Sequence, residues 1–87
     1  RDLAFVLPQS QSAQSLLDAL QQVADDLIQD IRVFDLYQGD SLGAGLKSLA
    51  VSVQLQDMNK TLVDEEVDQL ITKLIESAKL VGAHLRN

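Results

Sequence analysis

The 87-residue sequence predicts an α+β fold in which an antiparallel sheet carries two helices on one of its faces. Two observations lead to that prediction. In two long segments, apolar residues recur at steps of three and four, which is the period of a helix with one buried face. Around these segments lie shorter runs rich in β-branched and aromatic residues, and one run alternates between large apolar and small or polar positions, as strands do.

The first half of the chain predicts a strand, a helix and a second strand. Asp2–Leu7 is a short apolar run ended by Pro8, which cannot donate to a sheet ladder. Ser10–Ser12 offers hydroxyls that can cap a helix. The helical stripe that follows consists of Ala13, Leu16, Leu17, Leu20, Val23, Ala24 and Leu27. Ile31–Gln38, which contains branched and aromatic residues, predicts the next strand.

The second half predicts a hairpin, a second helix and a short last strand. Gly39–Gly45 has three glycines in seven residues and predicts the hairpin loop before the strand Leu46–Gln56. A polar turn at Asp57–Lys60 precedes a helix that Gly82 can end. Its apolar face consists of Val67, Leu70, Ile71, Leu74, Ile75, Ala78 and Val81. With a final strand in Ala83–Arg86, the order is βαββαβ, the ferredoxin-like arrangement, in one domain over residues 1–87.

Alternation along each strand predicts which side chains face the helices and which face outward. We expect the helix-covered face to carry Leu3, Phe5, Leu7, Phe34, Leu36, Leu49, Val51, Val53 and Leu55. We expect the open face to carry Ala4, Val33, Asp35, Tyr37, Ser48, Ala50, Ser52 and Gln54. The open face is therefore predicted to be small or polar around one aromatic ring.

An open sheet with an aromatic side chain is a platform on which an unstacked nucleic-acid base can lie. Asp35 can accept hydrogen bonds from base amino or imino groups, and Ser48 can donate or accept. The competing interpretation is that Tyr37 is an ordinary residue at a strand end with a solvated hydroxyl group.

Composition and charge argue against several other functions. The net charge of −6 disfavours strong electrostatic binding of a nucleic-acid backbone. Phosphate contacts would be made largely by Arg1, Lys47 and Arg86, if these cluster. The absence of cysteine excludes a disulfide and is compatible with a reducing cytoplasm, where we expect the protein to act. No apolar run is long enough for a membrane span.

The remaining polar residues do not predict catalysis. His84, the single histidine, is expected to be a surface residue, and Asp64–Glu66 is expected to be a solvated helix start rather than a cation site. The glycines of 39–45 do not form a phosphate loop, because Lys47-Ser48 enters a strand instead of a helix. We find no nucleophile–base set and no metal-ligand spacing.

Five segments, in order along the chain, resemble the ferredoxin-fold anticodon-binding domain that ends the β chain of bacterial phenylalanyl-tRNA synthetases. They are Arg1–Val6, Phe34–Gly39, Gly45–Ala50, Thr61–Val67 and Gly82–Arg86. The chain departs from the family at Val63, where a serine or threonine is common. Because valine cannot cap a helix, we expect Asp64 or Thr61 to do so, with a start shifted or loosened by one residue.

The resemblance implies a role in RNA recognition. The sheet face would receive the anticodon loop of phenylalanine tRNA, through Ala4, Asp35, Tyr37 and Ser48, with the tyrosine stacking on the first anticodon base. Partners would be the rest of the β subunit and the α subunit. The α subunit would bind ATP, magnesium and phenylalanine. No cofactor or metal is expected here, and the chain would be a fragment of a longer protein.

Two alternatives remain open at the level of sequence. One is a ferredoxin-like interaction or regulatory domain that pairs through its sheet without touching RNA, although such a sheet would need a continuous apolar surface. The other is a small acylphosphatase-like hydrolase, which would need an arginine-containing phosphate loop where Pro8–Gln11 stands.

Overall fold

The computed structural model describes residues 1–23, 25–56 and 63–86. In these ranges the strands are β1 (Asp2–Pro8), β2 (Ile28–Tyr37), β3 (Leu46–Leu55) and β4 (His84–Leu85), and the helices are α1 (Ala13–Gln21) and α2 (Asp64–Ala78). Neighbouring strands are antiparallel in the order β2-β3-β1-β4, which confirms the predicted ferredoxin-like βαββαβ fold. The predicted turn Asp57–Lys60 and the helical position Ala24 lie outside the described residues.

The core lies between the helices and the sheet face that alternation assigned to them. Its members from β1 and β3 are Leu3, Phe5, Leu7, Leu49, Val51 and Val53, and from the helices Leu16, Leu20, Leu70, Leu74 and Ala78. Burying each large side chain stabilises the fold by about 1.5–3 kcal/mol. The inward assignment of β1 and β3 is therefore confirmed, with Leu55 packed at the margin of the core.

Helix α1 begins as predicted but ends early. Ser12 is its N-cap, and the Ser12 side-chain oxygen accepts a hydrogen bond from the Ser15 amide at 3.0 Å. The prediction that the helix continues to Leu27 is wrong. Asp25 Oδ1 accepts a hydrogen bond from the Leu27 amide at 2.9 Å, an aspartate turn that competes with helical bonding. Leu27 nevertheless packs against the core, which explains why its spacing resembles that of a helix.

Strand β2 contains a bulge that reverses part of the predicted face assignment. Val33 pairs with Val51, whereas Asp35 pairs with Ala50, so Phe34 is an extra residue between two consecutive partners. Val33 therefore shares the helix-covered face with Val51, and its predicted place on the open face is wrong. Phe34, predicted to be inward, is 57% exposed.

Beyond the bulge, β2 returns to the predicted alternation. Leu36 pairs with Leu49 and so lies on the helix-covered face, as predicted. It is nevertheless 53% exposed, because β2 is an edge strand of the sheet and this end of it lies at the margin of the core. Tyr37 pairs with Ser48 on the open face.

Helix α2 starts at Asp64, directly after Val63, which occupies the N-cap position with φ −94° and ψ 147°. The expectation that Asp64 caps the helix is wrong, since Asp64 is its first helical residue; Thr61 lies outside the described residues. Three carboxylates in the first turn interact favourably with the positive end of the helix dipole and stabilise this helix start. At the other end Gly82 adopts φ 73°, a left-handed conformation that ends the helical segment as predicted.

Candidate nucleic-acid interface

The open face presents one cross-strand row of small residues with opposite charges at its two ends. Asp35 on β2 pairs with Ala50 on β3, which pairs with Ala4 on β1. The Arg86 amide, just past β4, donates a hydrogen bond to the Ala4 carbonyl oxygen at 2.7 Å. The row therefore runs from a carboxylate across two methyl groups to a guanidinium group.

The neighbouring row contains the aromatic ring. Tyr37 pairs with Ser48, Ser48 with Val6, and Val6 with His84. Ser48 is only 4% exposed, so its hydroxyl group lies at the floor of this surface, whereas Tyr37 is 45% exposed and rises above it. His84 is exposed at the far edge, as expected for a surface histidine.

These rows enclose a shallow cavity of about 100 Å³. Its lining consists of Ala4, Asp35, Tyr37, Ser48, Ala50 and Arg86. The four predicted site residues are thus brought together in one place. A larger groove runs along α2, but its lining from Glu65 to Lys73 is the solvated outer face of the helix.

The bulge in β2 gives Asp35 and Tyr37 their direction. Ile31 and Val33 alternate inward, so if Phe34 took an ordinary paired place in the strand, the same alternation would turn Asp35 and Tyr37 toward the helices. A bulge re-aims the side chains that follow it. Asp35 Oδ1 also accepts a hydrogen bond from the Leu36 amide at 2.9 Å, which orients the carboxylate beside the cavity.

Arg86 reaches across the sheet to the ring of Tyr37. Strands β4 and β2 are three inter-strand spacings apart, about 14 Å, yet the Arg86 Cζ atom lies 5.4 Å from the ring centroid, within the range of a cation–π contact. The small side chains of Ala4 and Ala50 leave the space that this contact crosses. The cavity lining therefore includes two groups able to stack on a planar ring.

Sequence reasoning considered Arg86 only as a phosphate contact and did not place it in the site. The alternation in Ala83–Arg86 contained the signal, because Ala83 is buried and Leu85 pairs with the core residue Phe5. Every second residue of the segment, hence His84 and Arg86, lies on the open face.

The condition for shared phosphate contacts, a cluster of Arg1, Lys47 and Arg86, is not met. The Arg1 backbone nitrogen donates to the Val53 carbonyl oxygen at 2.8 Å, and Lys47 Nζ donates to the Gln9 carbonyl oxygen at 3.4 Å. These anchors lie near opposite ends of the β1–β3 ladder, about 20 Å apart by strand rise. Of the three cations, Arg86 alone lines the cavity.

Chemically, the cavity suits a planar ring that carries hydrogen-bond donors. Tyr37 and Arg86 supply stacking surfaces, the Asp35 carboxylate accepts hydrogen bonds, and the small floor admits close approach. Within the described ranges no three acidic or histidine side chains lie close enough together to hold a metal ion, and no helix there is both long and apolar enough to cross a bilayer.

Comparison with known proteins shows which family the chain belongs to. A family model described as the ferredoxin-fold anticodon binding domain matches residues 1–86. The phenylalanine–tRNA ligase β subunit of Neisseria meningitidis serogroup B is 53% identical over 87 residues, which cover 100% of this chain and 11% of that protein. The β subunit of Paramagnetospirillum magneticum is 42% identical over 87 residues, covering 99% and 11%. The chain thus spans about a ninth of the length of these relatives, and it belongs to the family of ferredoxin-fold anticodon-binding domains.

Proposed function

We propose that this chain is the anticodon-recognition domain of a phenylalanine–tRNA ligase β subunit and binds the anticodon loop of phenylalanine tRNA on its open sheet face. The observation that carries the proposal is the cavity that joins Ala4, Asp35, Tyr37 and Ser48. These residues were selected from the sequence through a family resemblance, and the cavity is a feature of the geometry. The family description and the names of the relatives support the same role.

In this role an anticodon base stacks on Tyr37 while its polar edge meets Asp35 and, at the floor, Ser48. Arg86 extends the proposed contact set, because its guanidinium group can stack on a base or pair with a phosphate. Aminoacylation, with ATP and magnesium, would take place elsewhere in the parent enzyme, on its α subunit. This domain would take neither and would act in the cytoplasm.

Binding by this chain alone is expected to be weak. Stacking one base contributes about 1–3 kcal/mol, whereas even a millimolar complex requires about 4 kcal/mol after association costs. In a whole synthetase, the remaining tRNA contacts would hold the anticodon near the cavity at a high effective concentration.

An NMR titration of the 87-residue chain with the anticodon stem-loop of phenylalanine tRNA at low salt tests the proposal. We expect amide shifts around Ala4, Asp35, Tyr37, Ser48 and Arg86. A stem-loop with the same stem and a different anticodon is the matched control and should shift these amides less. The proposal is wrong if nothing moves up to millimolar RNA, or if the shifts fall on α1 and α2.

One observation favours a second candidate, a protein-interaction role without RNA contact. Phe34 and Leu36 are 57% and 53% exposed on the edge strand β2, next to the bulge. Such side chains suit packing against another protein surface. In that case β2 rather than the cavity would respond when the remainder of a β subunit is added, and RNA would leave the cavity amides unchanged.

A further inference from the structure

Gly39, which follows β2, does not need to be glycine for its backbone. In the described chain the glycines with positive φ are Gly43, Gly45 and Gly82, at 100°, 76° and 73°. Gly39 is not among them, and its φ lies outside the left-handed region that disfavours other residues. The space around Gly39, and not its φ, therefore decides whether a side chain fits at this position.

The Tyr37 ring lies in that space. A Cβ atom built on Gly39 would lie 2.7 Å from Cζ and 3.1 Å from Cε2 of Tyr37, and closer still to its hydroxyl oxygen. Non-bonded carbon atoms prefer about 3.5–4.0 Å. The ring thus occupies the space that a side chain at position 39 would fill.

Other contacts hold the ring in the same place. The Tyr37 hydroxyl group lies 3.3 Å from Ser41 Oγ in the turn, and the Arg86 guanidinium group lies over the ring. These contacts favour the orientation in which the ring forms one wall of the cavity.

We propose that Gly39 is a positioning residue for Tyr37, and that its missing side chain is what lets the ring lie against the turn at the cavity wall. With a methyl group at position 39, the ring must rotate, since it is the far end of a side chain with free torsions and is 45% exposed. The fold should therefore survive while the stacking wall moves. The consequence for RNA rests on the proposed function, but the position of the ring does not.

The chain provides its own reporter for the test, because Tyr37 is its single tyrosine and it has no tryptophan. In Gly39→Ala we expect altered tyrosine fluorescence and altered Tyr37 ring resonances without RNA, with an unchanged far-ultraviolet circular dichroism spectrum. Lys73→Ala, at an exposed position on the outer face of α2, is the control and should leave the ring signals as in the wild type. Wild-type ring signals in Gly39→Ala would overturn the proposal.

A double-variant cycle keeps the test decisive if Gly39→Ala also lowers stability. In a Tyr37→Ala background the clash is absent, so Gly39→Ala should no longer lower the urea midpoint and should raise it slightly, because alanine restricts the unfolded chain. If Gly39→Ala lowers the urea midpoint equally in both backgrounds, the side chain at position 39 clashes with something other than the ring.

RNA titrations separate this proposal from the proposed function. If the wild type binds the anticodon stem-loop, Gly39→Ala should raise Kd at least about five-fold, the low end of the effect of losing one base–aromatic stack. If the wild type binds no RNA but the ring signals of Gly39→Ala still change, the positioning role stands and the RNA role fails.

Discussion

At the scale of single residues, Tyr37 combines exposure with an ordered position. The ring is 45% exposed, yet Ser41 and Arg86 both contact it. An exposed side chain contributes little to folding, so this order is more useful for binding than for stability. The two contributions can be separated by substitution.

Replacing Tyr37 with alanine should change binding far more than folding. We expect the free energy of unfolding to change by about 1 kcal/mol or less, and Kd for the anticodon stem-loop to rise about 5- to 150-fold, the equivalent of one lost stack. Tyr37→Phe is the matched control, because it keeps the ring and loses only the hydroxyl contact. Urea denaturation and NMR titration provide the two readouts, and equal Kd values for both variants would exclude stacking.

The phenylalanines test the corrected face assignment. Phe34 is 57% exposed at the bulge, whereas Phe5 is fully buried in the core. Phe34→Ala should cost about 1 kcal/mol or less, while Phe5→Ala should cost about 3–5 kcal/mol or leave the chain unfolded. Urea midpoints compare the two variants directly. Similar large losses in both would restore the inward placement of Phe34 that simple alternation predicts.

At the scale of elements, the sequence predicts strands that alternate regularly and fails where the backbone departs from its period. The order of elements and the inward residues of β1 and β3 follow from period and parity. The grouping of Asp35, Tyr37 and Ser48 follows only when alternation in β2 is counted from Leu36, and not when it is counted from Ile31 or Val33. The bulge at Phe34 cannot be predicted in this way, because it leaves no mark in the composition of β2. It is visible only in how β2 pairs with β3. The aspartate turn at Asp25–Leu27, which follows α1, likewise depends on one side-chain hydrogen bond.

The cap of α2 offers a prediction about one element. Val63 has the extended backbone of an N-cap residue but no polar side-chain atom, and Glu66 occupies the N3 position of a capping box. Val63→Ser should therefore raise the free energy of unfolding by about 1 kcal/mol relative to Val63→Ala. This corresponds to about 4–8 °C in Tm for a domain of this size.

Thermal and urea denaturation of the two variants measure the difference. Because both remove the exposed isopropyl group, their difference isolates the cap. RNA titrations should be alike for both, since α2 packs on the sheet face opposite the cavity. Equal stability of the two variants would show that the backbone at position 63 does not present a serine hydroxyl to the helix.

At the scale of the whole molecule, net charge decides how RNA can be held. The chain carries −6, and its cations are dispersed rather than clustered. On the open face, Arg86 lines the cavity, and Arg32, whose row partner is Ser52, contacts the Asp30 carboxylate. Binding must therefore rely on contacts with a base and on one or two phosphates, in contrast to proteins that grip a backbone with many cations.

This charge distribution predicts a shallow dependence of RNA affinity on salt. For one or two phosphate contacts with single-stranded RNA, the slope of log K against log salt is about −0.7 to −1.4, so affinity should fall only about three- to seven-fold between 50 and 200 mM salt. Arg86→Gln should weaken binding and reduce the slope by about 0.7. Lys73→Gln, on the outer face of α2, is the matched loss of one cation and should leave the slope unchanged. NMR titrations of the anticodon stem-loop at three salt concentrations measure it, and a slope steeper than about −3 would mean that phosphates are held by cations away from the cavity.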